Sequence, residues 1–480
     1  MIRIFNTLTG QKEDFSPLAP PSVGIYVCGP TVYDMSHIGH ARAYVAFDVV
    51  VRHLRHRGFR VRYVRNYTDL DDKIIQRAAE LGRPPAEVSE RFIREYQIDM
   101  ATLGVARADV EPKVTGHVPE IVALIGELVA NGHAYAAAGD VYYSVRSFPG
   151  YGKLSGRRLA DMKAGARVEP GEQKRDPMDF ALWKGAKPGE PAWPSPWGPG
   201  RPGWHIECSA MSAKYLGTTF DIHAGGKDLV FPHHENEIAQ SEGATGQPLA
   251  KVWMHNGFVT LDSEKMSKSL GNFFTIREIT AKFSPEALRL FLLGTHYRSP
   301  INFSDQGLAE AEKRLDYFYE TLAKADALAA GTAPVASPEA AALLSAVGAA
   351  LDDDFNTPEA LAALAGPFAR LNELSEKPGK GPTRAASAAA AAALAAALRE
   401  AGAVLGIVQR PPVDYLAQRR AHLAARRGVD PAKVDALVGA RTEARKGKDF
   451  ARADAIRDEL LALGVEIMDG PRGTTWKIVG

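Results

Sequence analysis

Four short apolar runs, separated by helix-forming stretches, constrain the fold of this chain more than any other feature. They occupy residues 24–28, 60–66, 220–223 and 252–259. Strand-like runs that alternate with helices are typical of an open parallel sheet, which gives an α/β fold. Ligands of such sheets bind at the carboxyl ends of the strands. The first run ends at Cys28, so we expect this residue at that edge.

Composition limits the function classes that the chain can belong to. The chain has 480 residues, of which 45% are hydrophobic and 24% charged, and this is typical of a multidomain globular protein. Its formal net charge of +1 does not indicate nucleic-acid binding by itself. No signal peptide is readable at the start, and no uninterrupted apolar stretch reaches membrane-spanning length. We therefore expect a cytoplasmic protein with no membrane partner.

The two cysteines, Cys28 and Cys208, both lie in segments that contain histidine. A reducing cytoplasm argues against a disulfide between them. Two inert buried thiols are one remaining interpretation, because free cysteine is among the most buried residue types. Metal ligation is the other, and it requires further ligands elsewhere in the sequence.

Further ligands occur in the segment FPHHENEIAQ, where Pro232 suits the first position of a helix. On such a helix, His233 and His234 both lie about one turn before Glu237 and can share its face. Local spacing does not choose between the two histidines. Two thiolates, one imidazole and one carboxylate suit zinc better than magnesium or calcium.

A strand, a turn and a long helix that begins near the sequence HIGH predict a phosphate site. A helix N-terminus offers free N–H groups and the positive end of the helix dipole to an anion. Asp34 or Ser36 is the expected cap of this helix. The two histidines add donors, and the glycine between them leaves room for a flat base. The expected contacts are His37, Gly39 and His40.

The sequence KMSKS, followed by Gly271, predicts a second part of a nucleotide site. Lys265 and Lys268 lie on a short cationic loop with a hinge, suited to bring two ammonium groups to a triphosphate. An ordinary solvated loop is the alternative for such a charge run. The presence of HIGH and KMSKS in this order favours the nucleotide site.

Seven longer segments carry a resemblance to a known family. They are YVCGPTVYDMSHIGHARAYVAFDV, NYTDLDDKII, DFALWKGAKPGEPAWPSPWGPGRPGWHIECSAM, FDIHAGGKDLVFPHHENEIAQSE, KMSKSLGN, HYRSPINFS and LDDDFNTPEAL. They resemble class I aminoacyl-tRNA synthetases and, within that class, the cysteinyl-tRNA synthetases. The resemblance spans nearly the whole chain. It implies a Rossmann-like parallel sheet with an insertion domain, followed by an α-helical bundle and a small mixed α/β C-terminal domain.

The resemblance also implies functional residues and an activity. The implied zinc ligands are Cys28, Cys208, His233 and Glu237. The implied catalytic residues are His37, His40, Lys265 and Lys268. ATP contacts would come from Gly29, His37, Gly39, His40, Gly226, Asp228 and Lys268. A cysteine pocket would include Cys28, Thr68, Trp204 and His223, although Trp204 could merely pack and Thr68 could cap a helix.

The implied reaction joins L-cysteine to ATP and then to the 3′ end of tRNA-Cys. Pyrophosphate leaves in the first step, Mg²⁺ accompanies ATP, and one Zn²⁺ ion distinguishes the thiolate of cysteine from the hydroxyl of serine. An aminosugar-dependent cysteine ligase of the same fold is an alternative. A non-catalytic RNA-binding relative is another, although it would be expected to have lost residues of HIGH or KMSKS.

The expected domain organisation follows the same resemblance. The catalytic domain comprises residues 1–115 and 201–260, with an insertion for the tRNA acceptor end at 116–200. A connecting segment with KMSKS at 261–303 and a helical bundle at 304–408 follow. The anticodon-binding domain is expected at 409–480.

The C-terminal tail carries an excess of positive charge that could follow a phosphate backbone. From residue 410 onwards it contains fourteen Lys and Arg but ten Asp and Glu. Solvated helix faces are the common alternative for such clusters. A turn near its end is flanked by strand-like residues that include Trp476, which is expected to be exposed and able to stack on a base.

Overall fold

A computed structural model describes residues 1–159, 173–261, 264–265, 274–470 and 473–478. For residues 264 and 265 it describes the backbone alone. The strands are β1 Arg3–Asn6, β2 Gln11–Asp14, β3 Ser22–Val27, β4 Arg60–Arg65, β5 Ala134–Ala137, β6 Asp140–Tyr143, β7 Phe180–Gly185, β8 Gly200–Pro202, β9 Phe220–Gly226, β10 Ala250–Asn256, β11 Val259–Leu261, β12 Glu264–Lys265, β13 Ile301–Phe303, β14 Val465–Gly470 and β15 Gly473–Ile478.

The α-helices of the described residues alternate with these strands in the first half of the chain and dominate the second half. They are α1 Ile38–His56, α2 Asp72–Leu81, α3 Pro85–Thr102, α4 Val118–Ala130, α5 Trp204–Leu216, α6 Glu235–Thr245, α7 Ile276–Thr280, α8 Pro285–Leu293, α9 Asp305–Leu328, α10 Pro338–Asp352, α11 Thr357–Ala363, α12 Ala365–Glu376, α13 Pro382–Leu405, α14 Pro412–Arg427, α15 Pro431–Lys446 and α16 Phe450–Ala462.

A four-stranded parallel sheet in the order β10-β9-β3-β4 is built from strands of the first 256 residues. Each of the four apolar runs in the sequence contributes one of its strands, so the expected open parallel sheet is confirmed. Strand β9 is buried from Phe220 to Gly225, as expected for a strand covered on both faces. Helices α1 and α5 pack against the sheet. The carboxyl ends of all four strands therefore lie at one edge.

A second, antiparallel sheet lies in the chain between β4 and β9, in the order β5-β6-β7-β8. The Pro- and Gly-rich sequence WPSPWGPGRPGW was expected to be irregular, yet it contains strand β8, Gly200–Pro202. Trp193 exchanges two backbone hydrogen bonds with Gly200, which continues the pairing beyond the strand. Cross-strand pairing thus outweighs the local effect of composition here.

The polypeptide folds into two compact units, each built from segments that are separated in the sequence. The first unit comprises residues 1–312, 336–367 and 397–407, and the second comprises 313–335, 368–396 and 408–480. A three-stranded sheet, β12-β11-β13, follows the central sheet in the first unit. The second unit ends in α14, α15, α16 and the antiparallel hairpin β14-β15.

Helix α13 is long and apolar enough, by length and composition alone, to cross a membrane. In the sequence this stretch is not uninterruptedly apolar, because Ser and Arg residues interrupt it. Two-thirds of its most apolar window (67%) is buried within the protein, which is the behaviour of a core helix. Its alanines are small enough to allow close packing, and Ala391, Leu394 and Leu398 are fully buried or nearly so.

The hairpin β14-β15 packs with α14, α15 and α16 around a small apolar cluster. Trp476 belongs to this cluster and is only 3% exposed, so the expectation of an exposed aromatic residue is wrong. Its indole Nε1 donates a hydrogen bond of 2.7 Å to Asp435 Oδ1, and the Arg420 guanidinium lies over its ring. A domain this small needs its one tryptophan for the core.

Candidate active site and metal centre

The carboxyl edge of the central sheet gathers most of the predicted site residues. Cys28 directly follows β3, and Thr68 lies three residues after the end of β4. Gly226 ends β9, and the exposed Asp228 lies in the short turn that follows it. Helix α5 begins at Trp204, which places Cys208 one turn into the helix. The parallel topology therefore explains why residues far apart in sequence meet here.

The segment before α6 departs from the expected helix start. The backbone at Phe231 is extended (φ −142°, ψ 130°), and α6 begins at Glu235 rather than at Pro232. The expected spacing nevertheless holds, because His233 Nε2 lies 3.0 Å from Glu237 Oε1. The helical conformation of His234 carries the chain into α6 and preserves this one-turn relation.

The predicted zinc ligands converge in a fully buried cluster. Cys28 Sγ lies 3.8 Å from Cys208 Sγ and 3.5 Å from Glu237 Oε1. Ligand atoms of Cys28, His233, His234 and Glu237 all lie within 4.8 Å of one another. Every one of these five side chains is less than 8% exposed. The four residues implied by the resemblance are thus brought together, and His234 is a fifth neighbour.

The second histidine, His234, is held by the interior of the protein. Its Nε2 lies 3.2 Å from Cys28 Sγ, and its Nδ1 lies 2.8 Å from His255 Nε2. His255 Nδ1 in turn lies 2.8 Å from Thr7 Oγ1. Burial lowers the pKa of His234 well below its usual range and that of His255 to about 3, so both rings are neutral at pH 7.

The cluster favours charged forms at Cys208, His233 and Glu237, whereas burial raises the pKa of the Cys28 thiol and keeps it neutral. The Cys28 thiol donates a hydrogen bond to Cys208 and thereby lowers the pKa of Cys208 to about 6. Burial opposes charge on Glu237, but His223 and His233 outweigh it and lower the pKa of this carboxyl to about 2. Burial likewise opposes charge on His233, but Glu237 and Cys208 outweigh it and raise the His233 pKa to about 10.

These residues fit a zinc ion by their chemistry and by their placement. A buried carboxylate and a readily formed thiolate supply negative charge where an unpaired anion would be costly. The donor set of two sulfurs, one imidazole and one carboxylate is one that zinc accepts and that magnesium and calcium do not prefer. Cys208 and Glu237 lie on helices, Cys28 follows a strand, and all three side chains are buried, as is typical of a protein metal centre.

Each residue predicted for the cysteine pocket contacts the cluster or its neighbours. His223 Nε2 lies 2.8 Å from Glu237 Oε2, and the Trp204 ring stacks on His233 with centroids 4.4 Å apart. The hydroxyl of Thr68 donates to Glu207 Oε2 at 3.2 Å. Asp71, rather than Thr68, accepts the hydrogen bond that caps α2. The alternative of a capping role for Thr68 is therefore wrong.

The HIGH segment forms the N-terminus of α1, as predicted, but its cap is neither Asp34 nor Ser36. His37 is the N-cap residue, and its Nδ1 accepts a hydrogen bond from Gly39 N at 3.0 Å. His40 Nδ1 accepts from His37 N at 3.2 Å, which makes a reciprocal capping box out of two imidazoles. Both rings are partly exposed at the helix end where an anion is favoured.

Two glycines of the site are required by close approach. A Cβ atom on Gly39 would lie 2.8 Å from His37 Cε1, so the histidine ring occupies the space that the missing side chain leaves. A Cβ on Gly29 would lie only 1.5 Å from Asn66 O, so the chain after Cys28 passes directly against the end of β4. Any larger residue at Gly29 would push Cys28 away from the cluster.

The KMSKS sequence is only partly within the described residues. Lys265 ends strand β12, where it pairs with Thr260, and its side chain is not described. Lys268 lies outside the described residues. Beyond the motif, Phe274 O accepts a hydrogen bond from Ile38 N, and Thr275 forms a bridge with His37. The chain that leaves KMSKS is therefore attached to the HIGH segment.

Sequence reasoning did not single out three polar neighbours of the cluster. Asn66 Oδ1 accepts from Gly29 N at 2.8 Å, and His205 Nδ1 lies 3.0 Å from His233 Nδ1. His255, at the end of β10, is the third. Asn66 and His255 share a signal that the sequence does contain, since each is a polar residue at the end of a buried strand. His205 has the weaker signal of lying next to Trp204 in the sequence.

Comparison with known families agrees with this arrangement. Residues 14–313 match the family model of the tRNA synthetases class I (C) catalytic domain. Residues 346–409 match the DALR domain, and residues 430–476 match the cysteinyl-tRNA ligase anticodon binding domain. Together these three models cover most of the chain in the order found in the sequence.

Full-length relatives support the same family. A protein named Cysteine--tRNA ligase from Anaeromyxobacter sp. (strain K) is 61% identical over 99% of both chains. Another of that name, from Syntrophotalea carbinolica, is 55% identical over 99% of both chains.

Solved structures support the fold. Methionyl-tRNA synthetase of Mycobacterium tuberculosis in complex with methionyl-adenylate has a TM-score of 0.60 at 15% identity, covering 86% of this chain and 95% of that one. A leucyl-tRNA synthetase complex from Agrobacterium radiobacter K84 has a TM-score of 0.58 at 14% identity, covering 82% of this chain and 85% of that one. The chain belongs to the cysteinyl-tRNA ligase family of class I tRNA synthetases.

Proposed function

We propose that this protein activates L-cysteine with ATP and then transfers the cysteinyl group to the 3′ end of tRNA-Cys. The observation that carries the proposal is the buried cluster of Cys28, Cys208, His233 and Glu237 at the same sheet edge as the HIGH helix. Full-length similarity to proteins named Cysteine--tRNA ligase supports it. In class I adenylation the carboxylate of the amino acid must meet the α-phosphate of ATP. This sheet edge offers side chains that would bind the amino acid and a helix N-terminus that would bind ATP.

The adenylation step needs no side-chain nucleophile. A carboxylate oxygen of cysteine forms a bond to the α-phosphorus of ATP, the bond from that phosphorus to the bridging oxygen breaks, and pyrophosphate leaves. Catalysis is then positioning and stabilisation of developing negative charge. His37 and His40, at the positive end of α1, would contact phosphate oxygens from one side, and Lys265 and Lys268 would do so from the other.

The remaining ATP contacts would come from the sheet edge. Gly29 and Gly39 would contribute backbone groups, and Gly226, at the end of β9, and Asp228, in the turn that follows, would contact the ribose. The Asp228 carboxylate is exposed and can accept hydrogen bonds from ribose hydroxyls. Mg²⁺ that accompanies ATP would neutralise phosphate charge.

Cysteine recognition would rest on a metal centre. Cys28, Cys208, His233 and Glu237 would hold zinc, which when bound would supply selectivity for a soft, anionic sulfur over an alcohol oxygen. The protein's own residues would keep that centre in place. His223 holds Glu237, and Trp204 covers His233 with its ring. The four side chains that would hold zinc are buried, so a substrate thiol bound at the cluster would compete with little solvent.

Selectivity needs such a centre because shape alone discriminates poorly. Cysteine and serine differ by one atom, and apolar pockets separate near-isosteres by roughly 10- to 200-fold. A pocket that binds the sulfur by its chemistry avoids this limit.

Transfer to tRNA would use the parts of the chain outside the central sheet. The insertion at residues 116–200 would contact the acceptor end, and residues 409–480 would bind the anticodon, as the match of 430–476 to an anticodon binding domain suggests. Such a reaction belongs to translation, so a cytoplasmic location follows. The basic C-terminal tail and the intact HIGH and KMSKS sequences favour this function over an aminosugar-dependent ligase and over a non-catalytic RNA-binding relative.

Cysteine-dependent exchange between ATP and labelled pyrophosphate tests the proposal directly. We expect exchange with cysteine and not with serine, and we expect labelled cysteine on tRNA-Cys when that tRNA is added. Exchange without any charging of tRNA, but with transfer to an aminosugar, would replace the proposal by the ligase alternative. Absence of exchange from zinc-loaded protein would refute any adenylating function.

A further inference from the structure

Helix α6 carries one of the proposed zinc ligands and is also held by the insertion. His233 and Glu237 face the metal cluster. Three neighbouring residues contact the segment 151–157, which lies within the insertion at 116–200. These residues are Phe231, Glu235 and Asn236. Residues 231–237 therefore include side chains that contact the cluster and side chains that contact the insertion.

Glu235 makes the central contact. Its carboxylate is fully buried, with 0% of the residue exposed. Oε1 accepts hydrogen bonds from the backbone N–H groups of Gly152, at 2.9 Å, and Leu154, at 3.4 Å. Oε2 accepts from Ser155 N at 2.8 Å. Both oxygens of one carboxylate thus bind three amides of a single loop, and such charge-assisted bonds are strong and directional.

Two further contacts flank this carboxylate. The Tyr151 hydroxyl donates a hydrogen bond to Asn236 Oδ1. The guanidinium of Arg157 lies over the Phe231 ring, 4.3 Å from its centroid. Tyr151 and Asn236 are both buried, so the hydroxyl bond has no competition from solvent. The whole segment 151–157 is thereby fixed against the residues that bracket the metal cluster.

A carboxylate is a costly way to fill space in a protein interior. An apolar side chain of similar size would bury the same area without the cost of desolvating a charge. What the carboxylate adds is a fixed register, because it accepts from three amides that point at one place. Glu235 therefore sets where the loop lies relative to His233 and Glu237, which stand two residues before and two residues after it in the sequence.

We propose that Glu235 is a positioning residue that couples the insertion segment 151–157 to the amino-acid pocket at His233 and Glu237. The inference rests on the proposed function, because it concerns how the acceptor-end insertion and the cysteine site respond to each other. Binding of cysteine at the cluster fixes the loop through α6, and loss of the carboxylate uncouples the two.

Hydrogen exchange measured by mass spectrometry on the full-length, zinc-loaded protein tests the coupling. L-cysteine and a non-hydrolysable ATP analogue are the added probes, and peptides covering residues 148–157 are followed. In the wild type we expect the probes to slow exchange of these amides. In Glu235→Gln we expect faster basal exchange and no response to the probes. A wild-type response that persists in Glu235→Gln would overturn the proposal.

Kinetics of pyrophosphate exchange give a second readout. We expect Glu235→Gln to raise the KM for cysteine roughly tenfold, the order that loss of a charge-assisted hydrogen bond brings, with a smaller change in kcat. Glu242→Gln is the matched control, since Glu242 lies on the same helix and pairs with Lys153 of the same loop, but at the surface. Equal effects of the two variants on KM would also overturn the proposal.

Tyr151→Phe keeps the proposal testable if Glu235→Gln does not fold. It removes one hydroxyl from the insertion side and leaves α6 unchanged, and we expect a smaller rise in the cysteine KM together with a weaker exchange response. Wild-type values for both would count against the coupling. Failure of the wild type itself to exchange pyrophosphate with cysteine would instead refute the proposed function, so the two failures are distinguishable.

Discussion

The first of the two compact units buries some ion pairs and exposes others, whereas the second exposes most of its described ion pairs. In the first unit, Asp48 and Arg289 are 2% and 1% exposed, and Glu237 is fully buried beside its histidines. In the second unit, the ion pair Lys433–Glu459 has both side chains roughly half exposed. Exposed pairs contribute about 0–1 kcal/mol each, whereas removing one partner of a buried pair costs about 3–5 kcal/mol.

This difference indicates what each unit can do with its charges. Charges buried in the first unit have fixed partners and define a site of fixed geometry. Charges on the second unit can exchange their partners for phosphates at little cost, which suits the recognition of a flexible, charged polymer. Arg441 is an exception, because it is buried and makes two hydrogen bonds with Asp469 at 2.9 Å. Its role is therefore structural.

The largest expected effect comes from the fixed site. We expect Cys208→Ser to lose bound zinc and to reduce cysteine-dependent pyrophosphate exchange by more than about 100-fold, beyond the range for loss of an outer-shell partner of a metal. The cause is replacement of a sulfur donor by a hydroxyl that stays protonated. Elemental analysis and exchange assays measure the two losses.

Ser212→Ala is the control, because Ser212 is buried on the same helix and its hydroxyl donates a hydrogen bond to Ser209 O of that helix. It should leave zinc content and exchange nearly unchanged. Normal pyrophosphate exchange by a Cys208→Ser preparation without zinc would show that the cluster does not act through a bound metal.

The second unit gives the next largest effect, on a different step. Deletion of residues 429–480 should leave cysteinyl-adenylate formation nearly intact and reduce tRNA charging by roughly 100-fold or more, because several RNA contacts of about 1–3 kcal/mol each are lost. The cut lies after α14. In that helix the Tyr415 ring stacks on Tyr319, and the Tyr415 hydroxyl donates a hydrogen bond to Asp316. A cut nearer to residue 410 would disturb that packing.

Parallel assays of pyrophosphate exchange and aminoacylation measure this deletion. Unchanged charging of tRNA would show that the charges of residues 429–480 do not bind RNA. Equal loss of both activities would show that residues 429–480 are needed for the fold of the active site instead.

His37→Asn separates capping from catalysis at the HIGH helix. Asparagine is a good N-cap residue, so we expect a change in unfolding free energy within about 1 kcal/mol. Loss of the imidazole should still reduce the exchange rate about 100-fold, the lower end for removal of one charge-stabilising donor. Thermal unfolding and exchange kinetics, compared with Asp34→Asn outside the cap, measure both. Parallel loss of stability and rate would mean that His37 acts only as a cap.

The sequence predicted the first unit better than the second for a physical reason. The four strand runs and the cysteine and histidine spacing identify groups that burial brings together, and the side chains of Cys28, Cys208, His233 and Glu237 lie close to one another. The sequence does not predict His37 as the N-cap of α1, because histidine is seldom an N-cap residue. It also could not place Asn66, whose position depends on the close approach of Gly29.

The tail was predicted less well because a solvated surface leaves little pattern in the sequence. A single tryptophan among basic residues fits stacking on RNA as well as it fits a small core. The structure decides for the core, with Trp476 buried against residues such as Val434 and Leu460. Basic clusters carry the same ambiguity, since Arg419 pairs with Asp316 rather than facing solvent alone.

Trp476 gives the smallest expected effect and the sharpest test of that assignment. Trp476→Phe keeps the apolar ring and loses the hydrogen bond to Asp435, so we expect the second unit to lose about 1 kcal/mol of stability with little change in tRNA charging. Trp476→Ala should cost about 3–5 kcal/mol by leaving a cavity. Denaturant unfolding and aminoacylation below the unfolding midpoint measure both variants. If Trp476→Phe lost charging without losing stability, the indole would contact RNA, and the second unit would carry a fixed site of its own.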